Sequence, residues 1–127
     1  MLLRKKKATR LTGCFGEALA VEFLTRRRYA IVEVNYRKPY GEVDIIARDG
    51  DILVFVEVKT RKSSGFGTPF EAVDSRKQRQ ISRIAQEYLQ SHGLLETSAR
   101  FDVIAIRLDG DQPAVIDHIK NAFDCVL

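Results

Sequence analysis

An aspartate at position 44 and a Glu-x-Lys at positions 57–59 stand inside two β-prone runs, GEVDIIA and ILVFVEVK, joined by RDGD. Side chains alternate across a strand, so Glu57 and Lys59 share a face, about 6 to 7 Å apart along the strand axis. The Asp-Gly dipeptide signals a tight hairpin. The midpoint between Asp44 and Glu57 falls at the junction of Gly50 and Asp51, so a hairpin centred there sets the two acids opposite each other on one face. Facing carboxylates repel, and burying either one without a compensating group is costly or forces it to take a proton. A hard divalent cation offsets that cost: Mg²⁺ prefers oxygen ligands, is often held by only one or two carboxylates, and keeps waters for chemistry. With the Lys59 ammonium beside it, such a site suits activation of a water for attack on a phosphodiester. The plainer alternative is an ordinary ion pair between Lys59 and Glu57 or Asp44 at the end of a buried strand.

The elements that must hold these residues follow from periodicity. From Leu11 to about Arg28, apolar residues recur at three and four, which predicts an amphipathic helix that Thr12 could cap. YAIVEVNYR predicts a first strand of about seven residues, and KPYG turns the chain into GEVDIIA. ILVFVEVK is apolar on both alternating faces over Ile52 to Val56, as in a central strand covered on both sides. TRKSSGFGTP then predicts a long polar loop, in which Phe66 and Phe70 pack or stack on bases. A second helix is expected from about Glu71 to His92, with Val73, Ile81, Ile84, Ala85, Tyr88 and Leu89 inward and Gly93 as its stop. RFDVIAIRL and a short AVIDHI close the order αβββαββ. A sheet with one helix on each side would bury the third strand, giving an α/β fold of three layers.

Composition bounds the rest. A chain of 127 residues, 45% of them hydrophobic, suits one domain over 11–127, preceded by a basic tail over 1–10 expected to be disordered. The formal charge of +4 is concentrated in MLLRKKKATR and TRRRY, a pattern compatible with a polyanion such as nucleic acid. Cys14 and Cys125 form no CxxC, and His92 and His118 share no ligand spacing with them, which argues against zinc and for thiols in a reducing cytoplasm. No apolar run approaches a membrane span and no signal-peptide pattern opens the chain.

GEVDIIA followed by VFVEVKTR resembles the PD-(D/E)xK nuclease motif. Within that superfamily the chain is similar to the YraN family of endonuclease-like proteins, related in fold to the archaeal Holliday junction resolvases. The resemblance spans GEALAVEFL, NYR, GEVDIIA, VFVEVKTR, FGTPFEAV, RFDV and HIKNAF. It implies a restriction-endonuclease-like three-layer α/β/α core around a mixed sheet of about five strands. It also implies Mg²⁺ or Mn²⁺ held by Asp44, Glu57, the Val58 main-chain carbonyl and Glu17, with Lys59 as the catalytic lysine. Val43 stands where the motif's name has proline, so the strand keeps the ligand. Glu42 is expected as a structural neighbour of Asp44. Arg61, Lys62, Arg76, Lys77 and Arg83 flank the site and could hold a nucleic-acid backbone, their alternative being a solvated basic surface. The expected activity is metal-dependent hydrolysis of DNA, and the likeness to junction resolvases extends the expectation to branched DNA and a homodimer. The rival expectation is a binding protein that keeps the fold without independent cleavage, and a weaker third is a structural domain stabilised by a Glu57–Lys59 pair.

Overall fold

The structure is a computed structural model that describes residues 15–62 and 73–126. Helix α1 occupies residues 15–26 of the described chain; its expected start and the Thr12 cap lie outside, as do the 1–10 tail, Cys14, Phe66, Phe70 and most of the polar loop. Strands β1 (Ala30–Lys38), β2 (Gly41–Asp49) and β3 (Ile52–Lys62) follow, then α2 (Ser75–Ser91), β4 (Ala99–Leu108) and β5 (Val115–Phe123). The five strands lie in the order β1-β2-β3-β4-β5, so the apolar β3 is central as its composition requires. All neighbours are antiparallel except β3 and β4, whose parallel pairing α2 makes possible by carrying the chain back across the sheet. The result is the mixed α/β fold with order αβββαββ.

Each helix covers one face. Ile81, Ile84, Ala85 and Tyr88 of α2 pack with Leu53, Phe55, Phe101 and Val103. Ala20 and Leu24 of α1 pack with Ile45, Val54, Val56, Ile104 and Ile106 on the other side. The sheet is therefore dry on both faces where the helices lie. Gly16 sets how closely α1 approaches β3: a Cβ there would fall 1.9 Å from Thr60 Oγ1. Only the missing side chain allows that contact.

Several boundaries differ from expectation for physical reasons. Helix α2 starts at Ser75 rather than near Glu71, because the Asp74 carboxylate accepts the Lys77 N–H at 2.9 Å and caps it there. Val73 is buried, but it precedes the helix. β1 runs nine residues instead of about seven, and β3 continues through Thr60, Arg61 and Lys62, expected as loop. Their ladders with β2 and β4 account for the extra length. β5 is nine residues rather than a short strand, since a register shift opposite Phe101 and Val103 lets it pass Asn121 (φ 52°) and resume at Phe123. The α2 end agrees with expectation: His92 is the C-cap and the chain turns at Gly93.

Candidate functional site

The hairpin of β2 and β3 turns at Gly50, whose φ of 62° supplies the left-handed corner of a two-residue loop. Pairing runs from Asp49 opposite Ile52 to Ile45 opposite Val56. Continued by one residue, this register puts Asp44 opposite Glu57. There the main-chain ladder gives way to a side chain: Asp44 Oδ2 accepts the Val58 N–H at 2.7 Å.

The local sequence explains the opening. Val43 and Ile46 both pack on the α2 side, whereas Ile45 and Ala47 pack on the α1 side, so the alternation of β2 breaks around Asp44. On β1, Asn35 falls between Val34, opposite Ile45, and Tyr36, opposite Val43, and it has φ 56°. Both strands thus turn at this level, and the Asp44 carboxylate reaches into the gap beside β3 instead of standing on one flat face. In an extended strand a residue's N–H and C=O leave on the same edge. The Val58 carbonyl is accordingly directed to the Asp44 side, as a metal ligand there would need.

Glu57 continues the α2-facing series Leu53 and Phe55 and is only 3% exposed; Asp44 is 7% exposed. Two ammonium groups converge on Glu57 Oε1, Lys77 Nζ at 2.5 Å and Lys59 Nζ at 3.9 Å. Burial raises the Asp44 carboxyl to about 8; the charge of Glu57 adds to this, the Val58 hydrogen bond opposes it, and Glu17 and Glu42 contribute further. Burial and the nearby Lys77 ammonium lower Lys59, against the pull of Glu57 and Asp44. Burial disfavours the Lys77 charge as well, but contact with Glu57 more than offsets it and raises that lysine.

Glu17, on α1, is half-buried, and its charge is felt at Asp44. Among the described residues no three His, Cys, Asp or Glu side chains converge as a metal-holding group. The protein donors at the centre are therefore two carboxylates and a main-chain carbonyl. All are hard oxygen ligands, and that set fits Mg²⁺, which is commonly held by one or two carboxylates together with waters and substrate phosphates.

The other expected residues divide between solvent and internal contacts. Arg76 and Lys62 are exposed; Arg61, at the end of β3, is exposed too and engaged with a neighbour. Arg83 stacks its guanidinium 4.0 Å from the centre of the Tyr40 ring and lies 3.7 Å from Glu87, which also accepts the Tyr40 hydroxyl. Glu42, expected as a structural neighbour of Asp44, accepts the Arg37 Nε at 3.1 Å and reaches Asp44 only through its charge.

The profile of uncharacterised protein family UPF0102 matches residues 16–106, from the start of α1 through most of β4. The chain belongs to UPF0102. A UPF0102 protein of Geobacter sulfurreducens is 51% identical over 115 residues, covering 91% of this chain and 90% of its own. UPF0102 proteins of Moorella thermoacetica and Rhodococcus jostii are 49% and 50% identical, covering 90% and 87% of this chain and 96% and 94% of their own. The matched span contains Glu17, Asp44, Glu57, Lys59 and Lys77. No described helix is long and apolar enough to cross a membrane.

This UPF0102 chain also holds a third buried acid, one that sequence reasoning did not single out. Asp102, in RFDV of β4, is fully buried. Its carboxylate meets Arg100 Nε at 2.9 Å, Arg100 Nη2 at 3.2 Å, His118 Nε2 at 2.7 Å and the Asn121 N–H at 3.0 Å. The available signal was the pairing of an Arg-x-Asp with a histidine on a neighbouring strand.

Proposed function

We propose that the protein is a divalent-metal-dependent nuclease that hydrolyses phosphodiester bonds of DNA. The observation that carries this reading is Asp44: it is buried opposite Glu57, raised to about 8, and bound by one N–H, with Lys59 close by. A carboxylate so short of donors is suited to a cation. A bound Mg²⁺ or Mn²⁺ would supply charge neutralisation and a water of lowered pKa. Asp44, Glu57 and the Val58 carbonyl would hold it, and Glu17, expected as a further ligand, would act on the site only through its charge at Asp44. Lys59 would orient the attacking water and meet the charge that develops on the phosphoryl oxygens. The water oxygen bonds to phosphorus, the bridging P–O bond breaks, and the departing oxygen takes a proton. Arg61, Lys62 and Arg76, all exposed, would meet the strand backbone.

The resemblance to YraN and the junction resolvases extends the reading to branched DNA, to two copies cutting opposed strands, and to a cytoplasmic site of action. The test is cleavage of plasmid, single-stranded and four-way-junction DNA with Mg²⁺ or Mn²⁺. Wild type should cut at least one of them, and Asp44→Ala and Lys59→Ala should each lose at least about a hundredfold in rate. Activity surviving both substitutions sinks the site assignment. Binding without cleavage in any metal leaves the fold as a nucleic-acid-binding module.

A further inference from the structure

The tightest contact of Glu57 is not with Lys59 of the Glu-x-Lys but with Lys77 from across the sheet face. Three features fix that lysine in place. Asp74 caps α2 through the Lys77 N–H, which holds the lysine's backbone in the first turn. The packing of α2 on the sheet aims that turn at the end of the β3 series Leu53, Phe55, Glu57. The Lys77 Nζ then lies 2.5 Å from Glu57 Oε1. A metal ion on that oxygen would stand about 2.0 to 2.1 Å away. An ammonium at 2.5 Å and a dication on the same carboxylate repel each other at close range, so the two cations compete for Glu57.

We propose that Lys77 is an internal counter-ion, occupying the cation position at Glu57 until a divalent metal displaces it. This rests on the metal-site reading of Asp44 and Glu57 and adds a competitor to it. Displacement is sterically open: the Lys77 side chain is 35% exposed, and its long stem can carry the ammonium outward. Lys59, at 3.9 Å, has no need to move in the same way. The Lys77 contact thus holds the Glu57 carboxylate in place in the metal-free protein, at the expense of metal affinity.

The experiment is calorimetric titration of the full chain with Mn²⁺ alone, without nucleic acid, on wild type, Lys77→Met and Arg79→Met. Arg79 is exposed on the same helix and controls for net charge. Lys77→Met should bind Mn²⁺ about tenfold more tightly, and Arg79→Met within about twofold of wild type. Equal or weaker binding by Lys77→Met overturns the proposal, as does equal tightening in both variants. Should Lys77→Met fail to fold, wild type carries the test: the ¹³Cε and ¹⁵Nζ resonances of Lys77 should move to those of a solvated lysine as Mg²⁺ saturates. Unmoved resonances at saturation overturn the proposal. Failure of the metal-site reading looks different, with no saturable Mn²⁺ binding in wild type or Lys77→Met that Asp44→Asn removes; in that case Lys77 is a permanent ion-pair residue and the proposal falls with the site.

Discussion

Asp44 and Asp102 occupy the two strands that flank β3, both are buried, and they are shifted in opposite directions. Burial pushes each carboxyl up. At Asp102, His118, two nitrogens of Arg100 and the Asn121 N–H supply the lost hydration, and the carboxyl ends below its ordinary value. At Asp44 the charges of Glu57, Glu17 and Glu42 add to the effect of burial, Val58 supplies one N–H, the Lys59 and Lys77 ammonium groups act on it only through space, and the carboxyl ends near 8. Desolvation is common to both; the donors make the difference. A carboxylate that serves the fold is saturated by it, whereas the one opposite Glu57 accepts the Val58 N–H and faces other acids.

The largest expected effect breaks the comparison on the stability side. Asp102→Ala takes from Arg100, whose side chain is 14% exposed, its two-pronged carboxylate partner and leaves it Asp49 and the Tyr29 hydroxyl, and it removes the acceptor of His118. Breaking a buried ion pair by deleting one member costs about 3–5 kcal/mol, read from urea unfolding at neutral pH. Asp44→Ala in EDTA should cost distinctly less, because it also relieves the repulsion with Glu57. Equal losses at the two positions would show that Asp44 is as structural as Asp102.

These two acids were unequally legible in the sequence. The Asp44–Glu57 pair could be counted out, since an Asp-Gly turn and a two-residue period fix a hairpin register without tertiary information. The observed pairing follows that count. The break in alternation at Val43 to Ile46 could not be read, because it depends on the turn of β1 at Asn35. Asp102 was invisible as a network: His118 lies 16 residues away and Tyr29, which also binds Arg100, lies 71 residues from it. Lys77 was legible as a basic residue near the site, but its contact with Glu57 depends on where α2 begins, and Asp74 rather than Glu71 decides that. Arg83 was legible only as charge; its place on Tyr40 requires the β1–β2 turn to lie under α2.

The next effect is smaller and sharpens the comparison through pH. A carboxyl whose folded value is raised contributes stability below its unfolded value, near 4, and loses that contribution as pH rises through its folded value, near 8. Metal-free wild type should therefore lose stability relative to Asp44→Asn between pH 5 and pH 8. The difference should exceed about 1.4 kcal/mol, the worth of one pKa unit, in urea unfolding with EDTA. Asp102, lowered in the fold, has the opposite sign: its contribution is present above the unfolded value and lost as pH falls through the lower folded one. It should be silent over the same interval. A flat difference between wild type and Asp44→Asn would mean that neither burial nor the charge of Glu57 raises the Asp44 carboxyl in solution.

The smallest effect probes the outer layer of the saturated site. Arg100 Nη2 donates to the Tyr29 hydroxyl at 2.6 Å, and Arg100 Nη1 also meets Asp49 at 2.9 Å. Tyr29→Phe removes one acceptor from a guanidinium that keeps Asp49 and Asp102, so the loss should stay near about 1 kcal/mol, the net worth of a single hydrogen bond. The ring remains beside His118 and Arg100, so packing is preserved. If the loss instead approached that of Asp102→Ala, the hydroxyl would be holding the guanidinium on the carboxylate. The saturation of Asp102 would then depend on residue 29, beside α1, as well as on the two strands that carry its donors.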